Sequence, residues 1–131
     1  MDYYIFFTYK KSNNKNVFDQ TTLKNLKLKN RIFLGAEFDD SFKDGKFSEK
    51  GLKKYENLAK NGVSLMITGA ALVGDYFPSP LLRIDRDEYI SEFKKLVDIV
   101  HKHNTYILLQ LIHAGLFSPL DEIYSQVEIS L

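Results

Sequence analysis

The chain reads as an α/β protein with parallel strands, and three observations lead there. Short apolar runs stand at residues 31–34, 63–68 and 106–112. The two stretches between the later runs and their predecessors carry apolar residues at three- and four-residue steps, the period of a helix packed on one face. Each run is followed by small or polar residues: Gly35-Ala36, Gly69-Ala70, and Gln110 to Gly115. Strand–helix–strand–helix–strand order without a long antiparallel partner gives parallel strands and right-handed crossovers. The pattern fits a doubly wound sheet and part of a (β/α)8 barrel equally well. Both architectures bind ligands at the carboxyl ends of their strands.

The elements follow in order. Residues 1–16 form an extension, read as a loose terminus or as an edge strand built on the aromatic run Tyr3 to Phe7. Leu23, Leu26 and Leu28 alternate with polar residues around Lys24-Asn25, a tight-turn pair, and predict a β-hairpin. Residues 31–34 make a short buried strand that runs into Gly35-Ala36. Residues 38–47 read as a polar loop with a turn at Asp44-Gly45. Ser48 suits the N-cap of a helix over residues 49–60, whose Leu52, Tyr55, Leu58 and Ala59 share a face. Asn61-Gly62 ends it. Residues 63–68 predict a strand buried on both faces.

Residues 69–87 form a long connection containing Gly74 and Pro78-Ser79-Pro80, a length typical of functional loops. Asp85 or Asp87 is the expected cap of a second helix reaching His103, with Tyr89, Ile90, Phe93, Leu96, Val97 and Val100 on its apolar stripe. Asn104 ends it. Residues 106–112 predict a third buried strand that delivers His113-Ala114-Gly115.

Composition narrows the function. The chain has 131 residues, 44% hydrophobic and 27% charged, with 18 basic and 17 acidic side chains. A net charge of +1 lacks the basic excess of a nucleic-acid binder. The seven basic residues among positions 1–31, against two acidic ones, read as a solvated face. Without cysteine there is no disulfide scaffold or thiolate zinc site. No apolar run is long enough to span a membrane, and the first residues lack a signal peptide's basic region and cleavage site. The expectation is a soluble, cytoplasmic protein without metal.

Candidate site residues cluster after the strands. No Walker loop, dinucleotide fingerprint or nucleophile elbow is present. His101 and His103, two apart on a helix, diverge and do not chelate together. His113 ends a strand, as a structural histidine or as a site residue. Gln110 stands in an otherwise apolar run. A buried amide must satisfy two donors and a carbonyl, and an amide facing inward at a strand end suits a flat heterocycle of alternating donors and acceptors.

Phe18 to Ile32, "F-D-Q-T-T-L-K-N-L-K-L-K-N-R-I", resembles the opening of the Old Yellow Enzyme family, the NADH:flavin oxidoreductases. The similarity continues through Tyr55-Glu56-Asn57-Leu58-Ala59-Lys60-Asn61-Gly62-Val63, through Leu65-Met66-Ile67-Thr68-Gly69-Ala70 and Leu96-Val97-Asp98-Ile99-Val100-His101, to Leu109-Gln110-Leu111-Ile112-His113-Ala114-Gly115. The resemblance implies the amino-terminal portion of an FMN-binding (β/α)8 TIM barrel. It implies hydride transfer from NAD(P)H through FMN to an activated C=C bond, or a quinone. By position, Gly35, Ala36 and Ala70 lie against the flavin, Gln110 bonds its pyrimidine edge, and Phe38 and His113 stand on the flavin and substrate side. The chain departs from the family with Ala36 in place of proline, Phe38 in place of threonine or cysteine, and Leu116 in place of arginine.

A barrel of this class takes about 250 residues. The resemblance therefore implies a partial FMN-binding TIM-barrel domain over residues 17–117, with an ambiguous tail at 118–131 where Val127-Glu128-Ile129 faintly resembles a fourth strand. A tyrosine proton donor, a substrate-binding pair and a phosphate clamp are not found, so the catalytic residues stay unassigned. The expectation is a truncated chain that self-associates or meets a complementing second half. The alternative is a non-catalytic remnant that acts only by association.

Overall fold

The computed structural model describes residues 16–38, 40–74 and 81–113, together with the backbone of Ile5–Phe6. The stretch Pro78-Ser79-Pro80, Ala114-Gly115, and the tail at 118–131 with its Val127-Glu128-Ile129 reading lie outside the described residues.

The predicted strand–helix–strand–helix–strand core is present. Strand β1 (Ile5–Phe6) precedes the hairpin of β2 (Thr21–Leu23) and β3 (Leu26–Leu28), which turns at Lys24 with φ of 50°. Strand β4 (Phe33–Leu34) follows, then β5 (Phe42–Lys43) and β6 (Lys46–Phe47), then helix α1 (Glu49–Lys60). Strand β7 (Leu65–Leu72), short β8 (Leu82–Arg83), a 3-10 turn at Asp87–Tyr89, helix α2 (Ile90–His101) and strand β9 (Tyr106–Ile112) complete the order. β7 is the central strand. β9 pairs in parallel along one edge, while β4 and β8, also parallel, share the other, and β1 pairs antiparallel with β4.

Both helices cover one face of this sheet. Leu34, Met66 and Ala71 meet Tyr55 and Ala59 of α1 and Leu96 and Val100 of α2 in a single buried cluster. Successive strand residues alternate faces, so Phe33, Ile67, Leu108 and Gln110 lie on the opposite, open face.

Local chemistry explains the elements. The Ser48 hydroxyl accepts from the Gly51 N–H at 3.0 Å, the expected N-cap of α1. Gly62, at φ of 99°, reverses the chain after α1 in a conformation that side chains resist. The run Lys29-Asn30-Arg31 ties the hairpin to the sheet. The Lys29 ammonium donates to the His103 carbonyl (2.8 Å), Thr105 Oγ1 (3.0 Å) and the Ala59 carbonyl (3.4 Å). It thereby binds carbonyls at the carboxyl ends of both helices, where a cation is favoured. Burial holds its pKa below the usual lysine range. Lys29 thus leaves the solvated face expected of the basic residues. The Asn30 amide donates to the Gly62 carbonyl at 2.6 Å, and its oxygen accepts from the Ile32 N–H at 2.9 Å.

Four expectations are corrected. The stretch 38–47, read as a polar loop, is a second hairpin: Asp44 and Gly45, at φ of 52° and 79°, form its turn. Phe42 and Phe47 are buried edge-to-face with ring centroids 5.6 Å apart, and Phe47 also meets Tyr55 and Phe93. The strand expected to stop at Thr68 continues to Leu72, past a register shift between Ile67 and Ala70. Residues 69–72 therefore belong to the sheet. Neither Asp85 nor Asp87 caps α2, which is entered through the 3-10 turn without a side-chain cap and ends at His101. Asp85 instead pairs with Arg83, Nε to Oδ1 at 3.0 Å and Nη2 to Oδ2 at 2.7 Å. That bond holds its carboxyl below the usual aspartate range. Finally, β9 is not buried. Leu108, Leu111 and Ile112 are exposed, because β9 pairs on one edge only among the described residues and no described element covers its outer side.

Candidate flavin site at the strand ends

The carboxyl ends of β7 and β9 lie side by side, Leu72 beside Ile112, while β4 ends beside Met66 and its following loop runs on along β7. Ala70 of β7 and Gln110 of β9 are register partners, which puts both side chains on the open face. A local device sets this pairing. The Thr68 hydroxyl donates to the Gly69 carbonyl at 2.8 Å and accepts from the Gln110 N–H at 3.2 Å. The side chain thus fills the gap that the register shift leaves in the ladder, as bulges require.

Gly69 brings the loop after β4 into the same place. A Cβ at this position would collide with the Phe42 ring and lie 2.7 Å from the Glu37 carbonyl oxygen. Only glycine admits so close an approach. Residues 35–38 are thereby held against Gly69. The Glu37 carboxylate pairs with Lys54 of α1, both mostly shielded from solvent. Gly35 is half-buried, Ala36 exposed, and the Phe38 ring 69% exposed.

Of the expected site residues, Gly35, Ala36, Phe38, Ala70 and Gln110 come from strand ends that the fold brings together. His113 follows the end of β9 and is exposed. Gln110 departs from the expected buried amide: its side chain is exposed, since β9 is an outer strand among the described residues. No hydrogen bond of that side chain to another described residue occupies the amide. The rim thus offers small residues, open backbone and one unoccupied amide, which suits the edge of a flat heterocycle. No group of histidine and carboxylate residues fit to hold a metal ion occurs among the described residues. Sequence reasoning missed Thr68 and Glu37. A threonine before a Gly-Ala pair was the available signal for the first; the Lys54 partner of the second is 17 residues away and left none.

Comparison with known proteins identifies the family. The model of the NADH:flavin oxidoreductase / NADH oxidase family matches residues 16–130. The chain belongs to that family. The NADPH dehydrogenase of Bacillus subtilis is 32% identical over 111 residues, which cover 82% of this chain and 33% of the relative. The NADH oxidase of Thermoanaerobacter brockii is 31% identical over 105 residues, 76% of this chain and 16% of the relative. The Old Yellow Enzyme of Pichia sp. AKU4542 superposes with a TM-score of 0.70 at 23% identity, over 86% of this chain and 30% of that one. The fold is therefore the amino-terminal portion of an Old Yellow Enzyme (β/α)8 barrel, with no closed barrel among the described residues. The chain spans a third or less of the length of the curated relatives it matches. No described helix is long and apolar enough to cross a membrane.

Proposed function

We propose that this chain is the flavin-facing portion of an FMN-dependent NAD(P)H oxidoreductase whose acceptor is an activated C=C bond or a quinone. The observation that carries the reading is the in-register pairing of Ala70 with Gln110 beside the loop at 35–38. The chemistry a bound flavin supplies is hydride transfer between the nicotinamide and the acceptor. Gly35, Ala36 and Ala70 leave backbone open to a flat ring. The Gln110 amide offers donors and an acceptor to the ring's hydrogen-bonding edge. Phe38 presents an apolar face where the family has a hydrogen-bonding residue, and His113 stands at the mouth on the substrate side. The test is a titration of the purified chain with FMN, followed by flavin fluorescence and the visible bands. Saturable quenching with a shifted spectrum supports the reading. No binding up to about millimolar FMN, equivalent to about 4 kcal/mol, overturns it for this chain. A second reading, action only in association with another polypeptide, is favoured by the exposed Leu108, Leu111 and Ile112 of β9.

A further inference from the structure

Exposure alternates along the loop at 35–38. Ala36 and Phe38 are exposed, whereas the side chain of Glu37 between them is only 23% accessible. The Glu37 carbonyl lies against Gly69 of β7. Its carboxylate pairs with the ammonium of Lys54, in the middle of α1, itself only 17% accessible. Water and salt screen such a pair far less than an exposed one. The neighbouring pair of Lys50 and Asp40 also joins α1 to the chain before it, but its side chains are 71% and 56% accessible. A pair so exposed contributes little.

We propose that Glu37 is a positioning residue for the flavin site, with Lys54 as its counter-charge. The proposal rests on the flavin reading and assigns how this chain holds the loop that the ring meets. The ion pair fixes Glu37 toward α1, while Ala36 and Phe38 keep to the solvent side. The loop is thus pinned twice at one residue, by its carbonyl at Gly69 and by its carboxylate at α1. Lys54 also neutralises a carboxylate in a loop that faces an anionic cofactor, where a bare negative charge would oppose binding. Removing either partner strands the other charge in a shielded place.

The test is an FMN titration of the parent chain and its variants, reading Kd and the visible bands of the flavin at saturation. Glu37→Gln and Lys54→Met each raise Kd about fivefold or more, as for residues coupled through one contact. Lys54→Met raises it further, because it leaves the bare carboxylate. In both variants the bands at saturation move toward those of free FMN. A variant that merely folds less well would not move them, since the molecules that bind still bind normally. Exchange of the two charges, Glu37→Lys with Lys54→Glu, restores much of the affinity. Lys50→Met, at the exposed pair, leaves both readouts unchanged. Should Glu37→Gln not fold, Lys54→Met and the charge exchange read the same pair. Equal Kd in the single variants, or a charge exchange that binds no better than Lys54→Met, overturns the proposal and leaves the flavin reading standing. Weaker binding with unchanged bands at saturation also overturns it, in favour of a role in folding alone. A parent chain that binds no FMN overturns both.

Discussion

The backbone N–H of Gln110 donates to the Thr68 side chain, 3.2 Å away, and not to a neighbouring carbonyl. A side chain of β7 thereby sets the height at which the Gln110 amide emerges from β9. The candidate site inherits its geometry from this hydroxyl.

Replacing Thr68 by valine keeps the shape and removes the acceptor. Because Thr68 is buried, the unpaired Gln110 N–H should cost about 1–3 kcal/mol. Urea denaturation of Thr68→Val measures it. A variant as stable as the parent would show that the ladder closes without the hydroxyl.

Gln110→Leu separates binding from folding. The side chain is exposed, so the urea midpoint should move little. FMN affinity should fall by about 1–3 kcal/mol, the usual size for an unpaired polar group at a ligand edge. Equal affinity in the FMN titration would remove Gln110 from the site.

Gly69→Ala should push the loop at 35–38 away from β7, since the added methyl meets Phe42 and the Glu37 carbonyl. Overpacking of this kind costs about 1–3 kcal/mol. Thermal unfolding reads that loss, and weaker FMN binding should accompany it.

Acid should weaken the fold partly through Asp85. Its folded pKa is lowered, first by the Arg83 hydrogen bond, from a reference value of 3.8. The stability it contributes is therefore present above about pH 3.8 and is lost as pH falls through the lower folded value. A series of urea midpoints against pH should be shallower in this range for Asp85→Asn. An unchanged slope would place the acid sensitivity elsewhere.

Lys29→Met should destabilise by about 1–3 kcal/mol. It strands the His103 carbonyl and removes a cation from the carboxyl ends of α1 and α2. Calorimetry reports it as a lower Tm; an unchanged Tm would assign the Lys29 bonds no net weight.

What was legible in the sequence is what neighbours along the chain decide. Ser48 announces α1, Lys24-Asn25 the first hairpin, and Leu96 and Val100 the buried stripe of α2, because capping, turns and helical period act over a few residues. The second hairpin was legible in part: Asp44-Gly45 marked the turn, but the paired Phe42 and Phe47 that make it a hairpin were passed over in a stretch rich in charge. The exposure of Gln110, Leu108 and Leu111 was not legible. Burial of a strand depends on what lies beside it in space, and an apolar run reads the same in the middle of a sheet and at its rim. Partners 74 and 76 residues from Lys29 are hidden for the same reason. In the candidate site, the strand ends were readable as clusters of small residues, whereas the Thr68 bonds that align them were not.

The span of those Lys29 bonds has a kinetic side. An ammonium that reaches carbonyls on α1 and just after α2, and the Thr105 hydroxyl just before β9, finds its partners only after nearly the whole described chain has assembled. Contacts so distant in sequence close large loops and form late. Lys29 then acts as a latch on the finished fold: its loss would leave the refolding rate nearly unchanged and hasten opening. The hairpin would spring free first, before the sheet itself gives way.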